Sequence, residues 1–343
     1  MKKVIVLVGG FAGSVIARAL ENSFDVTLID SKDYFEFTPS ILRTIVEPEH
    51  IKKIQVLHRH YLKKARIIRG FVDEINKTYV WVNGKKLFYD YLAICSGSRY
   101  SFPIKEQNIV YATRANHLRD YHKKLDFAKN VVIVGGGLVG VELAAEICTN
   151  YTNKKITLVH SGARLMERNS LKASDYAENF LKNRGVEILF NERVIGFNKK
   201  IITNKKSRIK ADIIFACTGI KPNSEFMAKY FLSYLEKKGH LKVNNYLQVG
   251  SFGNIFSAGD VNNVHEEKTA QNAINQAKVV INNIKSMGVK GDLREYKSYN
   301  HPLSVSLGKW NGMFIWNYLV FKGFIPGIMK TLIEKWEMRN WRK

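Results

Sequence analysis

At 343 residues the chain is long for one compact core and suits two medium-sized domains. Its formal charge of +24, from 54 basic and 30 acidic residues, calls for an anionic partner such as nucleotide phosphates, a lipid surface or nucleic acid; a generally lysine-rich composition is the alternative. Only three cysteines occur, Cys95, Cys148 and Cys217, in no CxxC or other metal-like spacing, which argues against a redox-active disulfide, a zinc site and a disulfide framework.

Met1-Lys2-Lys3 runs straight into the apolar segment Val4 to Val8, leaving no room for a signal or transit peptide, so a reducing cytoplasm is the default expectation. No apolar stretch is long and uncharged enough for a transmembrane helix. Val4 to Val8 reads as a buried strand, Gly9-Gly10-Phe11-Ala12-Gly13 as a glycine turn, and Ser14 to Leu20 as a helix. Val26 to Asp30 is a second strand, ending on an acid twenty residues after Gly10, where the ribose of a bound dinucleotide would lie. Gly10 lets the backbone approach a pyrophosphate, Gly13 lets helix pack closely on strand, and the helix N-terminus offers its N–H groups. The first glycine of the GxGxxG pattern is replaced by Val8. Tyr34-Phe35-Glu36-Phe37 reads as core. Arg66 to Val72 and Tyr79 to Val82 suggest a hairpin or meander, with Asn83-Gly84 supplying a turn.

A second, complete fingerprint follows roughly 125 residues later. Val131 to Val134 leads into Gly135, Gly137 and Gly140, Val141 to Glu146 opens a helix, and Ile156 to Val159 forms the next strand. One such pattern is weak; two, each in strand–turn–helix–strand context, are strong, against glycines used only for tight packing. His160 stands where an acid would favour NADH, and Lys154, Lys155, Arg164 and Arg168 are candidates to meet a 2′-phosphate, so the cofactor is left as NAD(P)H. Asp90 to Ser98 and Asp212 to Gly219 each read as a buried strand ending in a small-residue turn. Asn254 to Asp260 ends on an acid able to hold a sugar or ribityl chain. From Trp310 to Lys343, aromatic residues crowd together. Past Pro326-Gly327, Ile328, Met329, Leu332, Ile333 and Trp336 recur at helical spacing among Lys330, Lys335, Arg339, Arg342 and Lys343. That pattern suits an interfacial helix on a membrane surface, or a stripe packed on the first domain or on a second subunit.

These motifs resemble the two-dinucleotide-binding-domain flavoproteins over nearly the whole chain, most closely type II NADH dehydrogenases and the apoptosis-inducing-factor-like quinone reductases of the ferroptosis-suppressor type. The likeness rests on Gly9 to Gly13, Phe37-Thr38-Pro39, Gly137 to Glu146, Thr218 to Asn223, Ile255 to Asp260 and Thr269 to Ala273. It implies an α/β fold of two Rossmann-like domains, FAD-binding over 1–105 and 241–300 and NAD(P)H-binding over 106–240, with a C-terminal amphipathic segment over 301–343. By the same resemblance, Gly9, Gly10, Ala12 and Gly13 would meet the FAD pyrophosphate, Asp30 its ribose and Val72 its adenine. Ser96 and Gly97 would close over the flavin nucleotide and Asp260 would hold the ribityl chain, while the turn ending at Gly219 could return the chain close to a nucleotide. Gly135, Gly137 and Gly140 would take the NAD(P)H pyrophosphate, with His160 at its ribose end and Glu142 beside the nicotinamide. Ala270 and Gln271, with Lys268 just before them, would line a quinone site. The plainer readings are a dipole-complementing Glu142 and surface-facing Lys268 and Gln271.

With no CxxC pair, electrons cannot leave through a disulfide, so hydride passed from NAD(P)H to FAD must go on to a directly reacting acceptor, first of all a quinone. No metal is called for. The alternatives are a reductase of an iron–sulfur carrier protein and a mainly nucleic-acid-binding flavoprotein, the latter disfavoured. A peripheral membrane surface and a homodimer are the assemblies the C-terminal segment suggests.

Overall fold

The computed structural model describes residues 1–99, 111–197 and 200–343, so the expected boundary between residues 105 and 106 lies outside the described residues. Strand β1 (Lys3–Leu7) enters helix α1 (Phe11–Leu20) and returns as β2 (Asp25–Asp30), parallel to β1 in the register Val4 to Val26. Val4, Val6 and Leu7 are wholly buried, as a parallel strand covered on both faces requires. Strand β3 (Arg66–Arg69) extends the sheet as the parallel neighbour of β2.

Here the expected hairpin arm is corrected: Arg66 to Val72 is two strands, not one. The chain breaks at Gly70, where an added Cβ would lie 2.4 Å from Asn83 Oδ1. Strands β4 (Val72–Ile75), β5 (Tyr79–Val82) and β6 (Lys85–Phe88) then form a separate antiparallel meander. Its β5–β6 turn is Asn83-Gly84, both at positive φ (+49° and +73°), the left-handed pair that matches strand twist. Strand β7 (Tyr91–Ile94) joins the other side of β1.

Helix α2 (Tyr111–Phe127) leads to a second copy of this plan. Strand β8 (Asn130–Val134), helix α3 (Leu138–Asn150), β9 (Lys155–Val159), helix α4 (Leu171–Lys182) and β10 (Glu187–Leu189) follow in turn. A meander of β11 (Val194–Phe197), β12 (Lys200–Thr203) and β13 (Arg208–Lys210) precedes β14 (Ile213–Ala216), which pairs with β8. The parallel order β10-β9-β8-β14 repeats β3-β2-β1-β7. Backbone bonds repeat with it: Val8 N to Ile29 O and Gly135 N to Val159 O are both 2.8 Å, and Gly70 N to Asp30 O and Glu192 N to His160 O are both 2.9 Å.

Strand β15 (Ile255–Ser257) goes back to the first sheet beside β7, and helix α5 (Ala270–Gly288), capped by Thr269, packs on α1. The chain ends in an antiparallel sheet, β16 (Leu303–Ser306), β17 (Gly312–Trp316) and β18 (Leu319–Gly323), followed by helix α6 (Phe324–Arg342). Helix α6 starts before Pro326-Gly327 and buries both. Its inward face is Pro326, Gly327, Glu334, Met338 and Trp341, whereas the apolar stripe Ile325, Met329, Leu332, Ile333 and Trp336 faces outward. Among the described residues no helix is long and apolar enough to cross a membrane.

Candidate active site

The two glycine turns superpose residue for residue in their constraints. Val8 and Gly135 hold the same position with φ of +71° and +111°. A β-branched residue in that region is strained by about 1–3 kcal/mol, so the missing glycine changes the residue but not the turn. An added Cβ at Gly13 would lie 1.9 Å from Val8 O, and one at Gly140 1.9 Å from Gly135 O. Those glycines are the close contacts of helix on strand. Gly10 and Gly137 are different: a Cβ there meets nothing within 4 Å, and each caps its helix without a side-chain bond. The first-turn N–H groups of α1 and α3 therefore face open space, the environment a pyrophosphate needs. Ala12 lies just inside α1, 4% exposed.

Behind the first turn lies a hydrogen-bonded chain. Asp30 Oδ2 accepts from Gly9 N at 2.7 Å and Oδ1 from Lys32 N at 3.0 Å. Ser14 Oγ donates to Gly9 O at 2.8 Å, the Tyr61 hydroxyl lies 2.6 Å from both Ser14 Oγ and His58 Nδ1, and His58 Nε2 lies 3.3 Å from Asp30 Oδ2. Burial pushes the Asp30 carboxyl up, but the His58 bond and the Lys32 charge outweigh it and hold it below the usual range. His58 and Tyr61 belong to no motif and sequence reasoning missed them; only folding carries them to the turn.

In the second unit His160 takes the place of Asp30, its Nδ1 accepting from Gly136 N at 3.1 Å. The ring proton therefore sits on Nε2, which is buried and among the described residues has no hydrogen-bond partner. Of the four nearby cations, Lys154 donates to the carbonyls of Asp126 and Ala128, Lys155 pairs loosely with Glu187, Arg164 binds the carbonyls of Glu167 and Asn169, and Arg168 pairs with Glu267.

A cleft of about 1930 Å³ runs past both turns and on to the C-terminal unit. Val72, Ser96, Gly97, Gly219 and Asp260 all line it, and Gly97 and Gly219 sit at positive φ (+63° and +105°). Ser96 Oγ donates to Asn223 O at 2.6 Å and Ser98 Oγ to Asp260 at 2.5 Å. Glu142 reaches the cleft from α3, its Oε1 accepting from Ser306 N at 2.7 Å and from Lys330 Nζ at 2.6 Å. Lys330 thus serves the cleft, not the outer face of its helix. Lys268 is half-buried and donates to the carbonyls of Asn262 and Val264, both at 2.9 Å. Burial lowers its ammonium from the ordinary lysine value, with the Asp260 charge opposing. Ala270 and Gln271 open α5 at the far end, where Gln271 Nε2 and Asn275 Nδ2 lie 3.2 and 2.8 Å from the two ring nitrogens of His301. All three cysteines are buried and free, and burial pushes each thiol up to about 12. Among the described residues no group of side chains is arranged to hold a metal ion.

A family model described as pyridine nucleotide-disulphide oxidoreductase matches residues 2–277. Apoptosis-inducing factor homolog A of Dictyostelium discoideum is 33% identical, the match covering 96% of this chain and 89% of that protein. Human ferroptosis suppressor protein 1 is 30% identical over 90% of this chain and 87% of its own length. The solved structure of NDH2 from Plasmodium falciparum in complex with NADH has the same fold, with a TM-score of 0.85 at 18% identity, covering 99% of this chain and 96% of that one.

Proposed function

We propose that the chain, which belongs to the pyridine nucleotide-disulphide oxidoreductase family and uses FAD and NAD(P)H, passes its electrons to a quinone at a membrane surface. In this reading residues 1–105 and 241–300 form the FAD unit, 106–240 the NAD(P)H unit and 301–343 the membrane-facing unit. The observation that carries it is the far branch of the cleft. Its lining there includes Pro302, Phe314 and Ile333, and Ile333 belongs to the outward apolar stripe of α6, where its chain neighbour Leu332 and nearby Trp336 are exposed. An acceptor entering there would come from an apolar phase, since exposed apolar patches of this kind mark partner or membrane contacts. The buried, unpaired thiols support a directly reacting acceptor, because no disulfide is available to carry electrons out.

When bound, FAD supplies the redox chemistry, taking hydride from the nicotinamide and giving electrons to the acceptor. The chain's part is to hold, orient and protonate. Gly10 and Gly137 leave room for the two pyrophosphates, Asp30 meets the FAD ribose, and Glu142, fixed by Ser306 and Lys330, orients the nicotinamide end. Lys268, its ammonium acidified by burial, hands a proton towards the acceptor beside Gln271.

The test is spectroscopic. The purified holoprotein is expected to show oxidised-flavin absorbance that bleaches with NADH or NADPH and returns on adding a short-chain quinone. Flavin that is reduced by nicotinamide yet reoxidised only by an iron–sulfur protein would overturn the quinone assignment.

A further inference from the structure

Resting on the reading of the second unit as the NAD(P)H site, the internal repeat gives a residue-by-residue map of where an adenosine would lie. Gly70 N bonds Asp30 O and Glu192 N bonds His160 O at the same distance, 2.9 Å, so residues 192–194 correspond to 70–72. Val194 therefore matches Val72, and Arg193 matches Phe71, at the adenosine end of the cleft. Arg193 lines that cleft, is exposed, and among the described residues its guanidinium makes no hydrogen bond or ion pair. Of the four cations nearer in sequence to His160, Lys154, Lys155 and Arg164 do not line the cleft, and Arg168, which does, pairs with Glu267 at 3.5 Å. The two acids at this end are also engaged, Glu167 by Ala163 N at 3.0 Å and Glu192 by the Thr203 hydroxyl at 2.6 Å. His160 brings a ring where a carboxylate would repel a phosphate, and among the described residues its Nε2–H is an unused donor.

We infer that Arg193 receives the 2′-phosphate of NADPH and, beside the neutral His160 position, makes the second unit select NADPH over NADH. A guanidinium presents a planar fork of N–H donors that matches two phosphate oxygens, whereas the ribose hydroxyl of NADH offers it only a neutral acceptor. The 5′-side contacts, through Gly137 and the start of α3, are common to both nucleotides and carry no discrimination.

Equilibrium binding to the FAD-loaded protein tests this without turnover, using adenosine 2′,5′-bisphosphate and 5′-AMP as probes. The bisphosphate is expected to bind at least about tenfold more tightly than AMP, as one charge-assisted contact would give. Arg193→Gln is expected to bring the two to parity, leaving AMP affinity and the flavin spectrum unchanged, and Arg193→Lys to restore part of the difference at low salt. Equal affinities in the unaltered protein, or a preference that survives Arg193→Gln, would overturn the inference while leaving the NAD(P)H site intact. Binding of neither probe would overturn both.

Discussion

A methyl group added at Gly10 and one added at Gly13 are expected to do different damage within the same turn. At Gly13 the new Cβ falls 1.9 Å from a backbone oxygen, so strand and helix must separate, at a cost on the order of 3 kcal/mol. At Gly10 nothing lies within 4 Å, so Gly10→Ala is expected to lose FAD, because the methyl occupies the phosphate's approach, and to melt where the unaltered protein stripped of FAD melts. Thermal unfolding and flavin content separate the two; a Gly10→Ala protein that stays yellow would mean the pyrophosphate lies elsewhere. Val8→Gly relieves the left-handed strain at φ +71° but adds unfolded-state freedom, so the net expectation is stabilisation of about 1 kcal/mol or less. The glycines were legible because their spacing is local. His58 and Tyr61 were not, since a hydrogen-bonded chain assembled across separate strands and helices leaves no periodic mark on the sequence.

Helix α6 shows the same limit at the scale of an element. Its apolar stripe could be read from composition, but which face packs inward could not. The inward face is not purely apolar: Glu334 bonds His50 at 2.9 Å, and Trp341 stacks on Phe35 at 4.5 Å and meets Tyr61 edge-on at 4.9 Å, while the exposed Arg342 reaches the carbonyls of Lys52 and Lys53. A buried carboxylate such as Glu334, satisfied only by a tertiary partner, looks solvent-exposed in sequence. The two faces should therefore respond oppositely. Trp341→Ala is expected to cost about 3 kcal/mol and to loosen FAD through Tyr61, measured by thermal melting and flavin release. Leu332→Ser with Trp336→Ser should change stability by less than about 1 kcal/mol but abolish cosedimentation with anionic vesicles. Loss of stability in that double variant, with vesicle binding unaltered, would make the stripe a packing surface.

Across the whole molecule, hydride transfer requires the two nucleotide units to be held at a fixed separation, because reacting atoms must approach to about 3–3.5 Å. One tie between them is ionic and buried. Arg43, in the short helical stretch Thr38–Ile45 of the first unit, donates to Glu146 Oε1 on α3 of the second at 3.2–3.3 Å, while Glu146 Oε2 is buried and among the described residues has no partner. Burial pushes the Glu146 carboxyl above its ordinary value, and the Arg43 charge and hydrogen bond oppose that shift. Arg43→Met removes the larger part of the opposition, the more distant Lys330 charge remaining, so the carboxyl should rise further. A carboxyl raised in the folded state contributes stability that is present below its unfolded value and lost as pH climbs through the folded one. The deficit of Arg43→Met should therefore be larger at pH 8 than at pH 5, reaching about 3–5 kcal/mol where the unpaired charge must be buried. Adding Glu146→Gln should recover much of the deficit at pH 8 and little at pH 5, since the amide carries no charge at either. Melting curves of the two single variants and the double variant at both pH values make the comparison, and a deficit independent of pH would show that Glu146 does not titrate between the units.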